Sequence, residues 1–323
     1  MRRWIPVLIL LLSARAGWSK HVVSHQFENP PWMTGPLLCP STHITAGGDF
    51  NLEPYLYISW ISNEYDKNWN KVKEDPIRID LFQAYLTIGL TKWMDLSVTP
   101  SCVHNVSHGR QGYHFSAMNV GFDFQILVDA PDNYLPALKL TIQEVFPIGQ
   151  HDHLDPNKHE VDAGGNGKYV TEVTLAASRL IQLKDEYWLN LRLAWDYVIS
   201  TRVHVHGYNF YGGNAQTDGY VYPPQVSKFD FAFELTLSRN WALAFDAVSR
   251  YAPSRKFKGV AGFTAAGTPD TLSKGAFAEY SLAPAIEYNW NANLGIIIGA
   301  WFTVAGRNVD AFTSWVSAFN YFY

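Results

Sequence analysis

Hydrophobic and polar residues alternate one for one along most of this chain. Between residues 225 and 239, Phe229, Phe231, Phe233, Leu235 and Leu237 take one parity, and Lys228, Asp230, Glu234, Thr236 and Ser238 the other. Residues 187–201 repeat the pattern, with Leu189, Leu191, Leu193, Trp195, Tyr197 and Ile199 set against Asn190, Arg192 and Asp196. Residues 114–129 do so again, Val120, Phe122, Phe124, Ile126 and Val128 opposing Asn119, Asp123 and Gln125. Successive side chains of a strand point to opposite faces, so each stretch is a ribbon with one oily and one polar side. No stretch sustains the 3.6-residue period of an amphipathic helix.

Twelve such segments can be drawn, over residues 45–60, 78–91, 93–106, 113–128, 136–149, 169–183, 187–201, 225–239, 241–254, 276–290, 292–306 and 309–323. A soluble sandwich shows the same alternation, so the connections must decide. Those after the even segments are short: "TKW", "DAPDNYLP", "LKDEY", "RNW" and "WNAN". Those after most odd segments are long, over 61–77, 104–112, 150–168, 202–224 and 252–275, with "GRN" the exception. This rhythm predicts an all-β fold, a transmembrane antiparallel up-and-down β-barrel of about 12 strands, with tight periplasmic turns and long extracellular loops. An even strand count puts both termini in the periplasm. Trp93, Tyr187, Trp188, Trp241, Tyr288 and Trp290 cluster beside the tight turns, where an interfacial aromatic girdle belongs.

Composition narrows the picture. The chain has 323 residues, 47% hydrophobic and 15% aromatic, with only 17% charged, yet it holds a single long apolar run. That run is the start, "MRRWIPVLILLLSARA", where a basic n-region, a short apolar core and Ala14-Arg15-Ala16 read as a secretory signal cut after Ala16. The expected organisation is a leader over 1–16, an irregular proline-rich segment over 17–44 and a barrel over 45–323. The destination is the bacterial outer membrane. A net charge of -4 gives no case for nucleic acid. Two cysteines, Cys39 and Cys102, make no disulfide framework and read as incidental. The last segment ends "SAFNYFY", and Trp315, Phe319, Tyr321 and Tyr323 share a parity that would face lipid. Phe319, Tyr321 and Tyr323 resemble the C-terminal signal recognised by outer-membrane assembly machinery.

Three longer stretches carry a family resemblance: "FNLEPYLYIS" (50–59), "VFPIGQHDHLDPNKHEVDAGGNGKY" (145–169) and "LAPAIEYNWNANLGIIIGAWFTVAGRN" (282–308). They are similar to the outer-membrane barrels of the MetA-pathway of phenol degradation family, whose members are often called transporters. "TGPLLCPS" before the first strand resembles a lead-in found in some members. The resemblance implies a membrane barrel and a transport role, often assumed for hydrophobic or aromatic compounds. It supplies no catalytic residues.

Other motifs add little chemistry. "DAGGNGKY" lacks the Ser or Thr after Lys that a phosphate-binding loop needs, and no helix follows; its glycines suit a long external loop. His151 with His153, and His204 with His206, have the i, i+2 spacing that shares a strand face and could ligate a metal. Solvated loop histidines are the plainer reading, and neither metal nor cofactor is expected. A hydrolase would need a Ser and His together on the wall, and "TSWVS" lacks the G-x-S-x-G context, so the chain does not read as an enzyme.

The polar parity is more telling. Taken as inward, it gives Glu53, Asp95, Asp123, Glu172, Asp196, Asp230, Glu234, Asp246, Glu279 and Glu287, opposed by Lys139, Arg192, Lys228 and Arg250. Ten acids against four bases predict a polar, acidic lumen with a modest preference for cations, the mid-strand Asp123, Asp196, Asp230 and Glu234 contributing most. The same charges also suit a network that only braces the barrel. Two functional readings stay open: a channel or passive transporter for small-molecule solutes, or a closed structural or surface-exposed barrel acting through its loops as an adhesin or receptor. The partners expected are outer-membrane lipids, the assembly machinery and a small solute.

Overall fold

The computed structural model describes residues 31–130, 134–184, 187–263 and 267–323. The expected leader over 1–16 lies outside the described residues. In chain order the strands are β1 (Phe50–Tyr65), β2 (Lys71–Gly89), β3 (Met94–Ser107), β4 (Arg110–Leu127), β5 (Ala137–Pro147), β6 (Val170–Lys184), β7 (Tyr187–Ser200), β8 (Val203–His206), β9 (Asp218–Tyr222), β10 (Val226–Thr236), β11 (Trp241–Ala252), β12 (Lys256–Val260), β13 (Phe277–Asn291), β14 (Leu294–Arg307) and β15 (Val309–Phe322). Twelve of them pair antiparallel with their neighbours and close when β15 pairs with β1, while β8, β9 and β12 form a separate small sheet in the long connections. A barrel leaves no unpaired edge in the bilayer, where an unbonded N–H or C=O costs several kcal/mol.

Burial follows the alternation. On β10, Phe229 and Phe231 are exposed while Asp230, Ala232 and Glu234 are fully covered. On β7, Leu193 and Trp195 are exposed while Asn190, Ala194 and Asp196 are buried. The oily parity is therefore the outer wall. Leu191→Arg should sharply lower the yield of folded barrel in lipid vesicles, since Arg on the lipid face costs about 2–4 kcal/mol at mid-membrane. Asn190→Arg should be tolerated, because Asn190 already hydrogen-bonds the Glu234 carboxylate at 2.8 Å. Equal intensities of the heat-modifiable folded band on a gel would refute this parity.

The strands extend further than the hydrophobic pattern suggests. β1 and β2 continue through most of 61–77 as a hairpin closed at residues 66–70, where Asp66 Oδ1 accepts from the Asn68 and Asn70 N–H groups at 2.7 and 2.9 Å. β3 and β4 fill most of 104–112 and turn through His108 and Gly109, both with positive φ (50° and 74°). Two consecutive left-handed residues give the tight hairpin turn whose twist matches the strands. A bilayer crossing needs about 9–11 residues, so these hairpins project beyond it, where strand pairing survives without an oily face. That is why the charged "KVKED" of β2 looks like loop.

Two other expectations are corrected. The first strand begins at Phe50 rather than at residue 45, because Thr45 points its N–H to Asp95 at 2.6 Å and the chain turns through Ala46 and Asp49. Trp188 is 3% exposed and on the inward parity, so it does not join the girdle; proximity to a turn does not override alternation. Trp93, Tyr187, Trp241 and Trp290 are exposed beside the tight turns, and Tyr288 packs on Trp241 with ring centroids 4.7 Å apart.

Candidate functional site: the barrel interior

The inward alternation brings acids and bases on neighbouring strands into register. Lys139 on β5 lies 3.2 Å from Asp123 on β4, and Asp123 also accepts from the Thr141 hydroxyl. Arg192 on β7 lies 3.0 Å from Glu234 on β10. Lys228 on β10 lies 3.0 Å from Asp196 and 3.8 Å from Asp230. Arg250 on β11 lies 3.2 Å from Glu279 on β13. An unpaired buried charge costs several kcal/mol, so partner placement is a condition of folding here. The four bases thus engage Asp123, Asp196, Asp230, Glu234 and Glu279.

The other five acids are held by neutral donors. Glu53 accepts from Asn51 and Asn320 at 2.6 and 3.0 Å, and Glu172 from Gln143 at 2.8 Å. Asp95, Asp246 and Glu287 accept from residues that precede the barrel. Glu287 takes the Thr34 N–H and hydroxyl, each at 2.9 Å. Asp246 takes three successive backbone N–H groups, from Leu37, Leu38 and Cys39, at 3.1, 3.3 and 2.9 Å. Residues 32–45 therefore run inside the barrel, nearer its tight-turn end.

Side-chain size makes room for this segment. Ala176, Ala194 and Ala232 surround Cys39, and Ala244, Ala283, Ile297, Val316 and Ala318 surround Leu37. A Cβ on Gly299 would stand 2.4 Å from Leu37 Cδ1 and 2.5 Å from the Pro284 carbonyl oxygen, so the wall itself excludes a side chain at this inward position on β14 and Leu37 packs into the space left. Further ties run from Gln125 to Ile44 N and Thr42 O (3.0 and 2.9 Å), from Ser178 to Thr42 (2.5 Å) and from Asn289 to Trp32 O (3.1 Å). His43 Nε2 sits 3.1 Å from Asp129 in the β4–β5 turn. Burial pushes the Asp129 carboxyl up, but the His43 ring and the Leu180 N–H together hold it below the usual carboxylate range. Both cysteines are free thiols, and Cys39, within this segment, is buried.

The opposite mouth is partly roofed by residues 150–168. Asn105 Nδ2 donates to Ala163 O at 2.7 Å, His114 Nε2 lies 3.0 Å from Val161 O, and Tyr211 OH donates to Asn166 O at 2.7 Å. The glycine-rich "DAGGNGKY" is thus a folded part of this roof. Above it, Val203, Val205, Tyr211, Val221 and Leu272 give the small sheet its own core.

His151, His153, His204 and His206 sit in this upper layer. His153 stacks on His206 at 4.9 Å, His204 Nε2 lies 3.0 Å from Asp218 Oδ1, and His151 Nε2 lies 3.3 Å from His204 O. Among the described residues no group of three His, Cys, Asp or Glu side chains is arranged to hold a metal ion. His104 departs from the expected loop position: it lies on β3, its Nδ1 3.0 Å from Asp80, which Arg78 also grips at 2.8 Å.

At the seam, Phe319, Tyr321 and Tyr323 are exposed along one parity of the last residues. Phe50 and Tyr323 exchange both backbone hydrogen bonds at 2.9 Å, and their rings stack at 5.5 Å. Sequence reasoning weighed only the charged inward positions and left open whether the residues before the barrel plug its lumen; the contacts of residues 32–45 answer that. The usable signal was the set of inward alanines and Gly299, too small to fill a barrel without something inside it.

No family model and no curated protein matches the chain. Solved structures do. The COG4313 outer membrane channel from Pseudomonas putida F1 superposes with a TM-score of 0.65 at 10% identity, over 88% of this chain and 98% of that one. The beta domain of the Bordetella autotransporter BrkA gives 0.46 at 9% identity, over 85% and 99%. At such identities the first of these likenesses is one of fold, and the fold is that of an outer-membrane β-barrel.

Proposed function

We propose that this chain is an outer-membrane channel or passive transporter for small molecules, whose lumen is closed by its own residues 32–45. The observation that carries the reading is a charged, hydrogen-bonded interior inside an apolar outer wall, crossed by a segment held through polar contacts. In this reading both termini are periplasmic, residues 1–16 direct export, and Phe319, Tyr321 and Tyr323 serve the assembly machinery. The family resemblance supports hydrophobic or aromatic compounds as the solutes.

The test is conductance in planar bilayers. The full chain should show small or rare openings, and a variant lacking residues 32–44 should conduct steadily. A folded deletion variant that stays silent would defeat the channel reading. It would favour the closed barrel instead, with its paired charges acting as braces and its loops carrying the function.

A further inference from the structure

Beyond the seated segment, at the long-loop end of the lumen, lies a cavity of about 290 Å³. Arg250, Lys274, Phe277, Glu279, Asp310 and Phe312 contribute to its wall. Arg250 follows Asp246 by two inward positions on β11, roughly 13 Å along a strand that rises about 3.3 Å per residue. The cavity therefore stands above the closure. Its size is near the lower edge of small-molecule pockets.

The wall is chemically two-sided. Arg250 and Lys274 supply positive charge, and Glu279 and Asp310 negative charge. Arg250 gives Nη1 to Glu279 Oε2 at 3.2 Å, which leaves the rest of its five-donor fork available. Lys274 is held loosely, 3.8 Å from Glu64, and is 42% exposed. Glu279 is 2% exposed, and its second oxygen, Oε1, has no hydrogen-bond partner among the described residues. A buried carboxylate oxygen without a donor is costly, so the position calls for one. Phe277 carries the Arg250 guanidinium 5.8 Å from its ring centroid and, with Phe312, gives the cavity an apolar side.

We propose that this cavity is a binding site for a small zwitterion of the amino-acid type. Its carboxylate meets Arg250 and Lys274, its ammonium meets the acidic side formed by Glu279 and Asp310, and its side chain lies against Phe277 and Phe312. Balanced wall charge disfavours a simple anion or cation, each of which would leave one pair of wall charges unanswered. The site rests on the channel reading for its purpose, capture of a solute at the mouth, whereas its occupancy is measurable without conduction.

The experiment is equilibrium titration of the detergent-folded full chain with L-phenylalanine, 3-phenylpropionate (no ammonium) and phenethylamine (no carboxylate). Saturable binding is expected for phenylalanine, with both analogues weaker on the order of ten- to a hundredfold, the range for one charge-assisted contact. Glu279→Gln should erase the advantage of phenylalanine over 3-phenylpropionate. Arg250→Gln should erase its advantage over phenethylamine. Lys274→Gln, at an exposed position, keeps the test valid if the Glu279 or Arg250 variant fails to fold, and should weaken both carboxylates alike. Absence of saturable phenylalanine binding, or binding indifferent to these substitutions, would overturn the site. Binding by a barrel that never conducts would sink the channel reading and leave the site standing.

Discussion

Asp246→Ala should turn a mostly closed barrel into one that is open much of the time, without any deletion. The carboxylate of Asp246 gathers the N–H groups of Leu37, Leu38 and Cys39, at 2.9 to 3.3 Å. A hydrogen bond to a charged group contributes about 1.5–3 kcal/mol, and the three share one acceptor, so several kcal/mol of closure are at stake. Roughly 5.5 kcal/mol suffices to carry a two-state equilibrium from 1:99 to 99:1. The barrel itself tolerates the change, since Ala244 and Ala283 already occupy neighbouring inward positions, Ala283 directly opposite Asp246. Asp246→Asn keeps one carbonyl acceptor and should open the barrel less. Single-channel open probability is the readout. Unchanged open probability in a folded Asp246→Ala barrel would mean that other ties hold residues 32–45, or that their release does not open the lumen.

The fold was legible because its determinants are local. Period-2 alternation and the short/long spacing of turns act within some tens of residues, so twelve segments and their order can be read from composition and position. Boundaries were less legible where strands leave the bilayer. Residues 71–76 are all exposed, so nothing in their hydrophobicity distinguishes a projecting hairpin from a loop. The interior was half legible. Parity identified which charges share a face, but pairing depends on register: Lys228 stands opposite Asp196, and Arg250 opposite Glu279, only once the hairpins are set. The seating of residues 32–45 was least legible. Its contacts join Thr34 to Glu287 and Leu37 to Asp246, more than two hundred residues apart, through backbone N–H groups that every sequence carries. Only the run of small inward residues hinted at a guest.

Register also relocates the charge that would select ions. The mid-strand Asp123, Asp196, Asp230 and Glu234 were expected to dominate, yet these stand beside Lys139, Lys228 and Arg192, which offset their field. Among the described residues Asp95, Asp246 and Glu287 make no such direct ion pair; they hold the segment of residues 32–45 through neutral donors. When that segment leaves, three carboxylates are bared together in a narrow, low-dielectric passage, where rings of acids attract cations most strongly. The barrel lacking residues 32–44 should therefore prefer cations, and should do so more than the full chain during its brief openings. Neutralising Asp95, Asp246 and Glu287 together, as Asn, Asn and Gln, should remove most of that preference. Neutralising Asp123, Asp196, Asp230 and Glu234 should shift it towards anions, because it frees Lys139, Lys228 and Arg192. The measurement is reversal potential under a salt gradient for each folded variant. If the first triple substitution leaves the reversal potential where it was, the carboxylates that anchor the segment are not the ones that select.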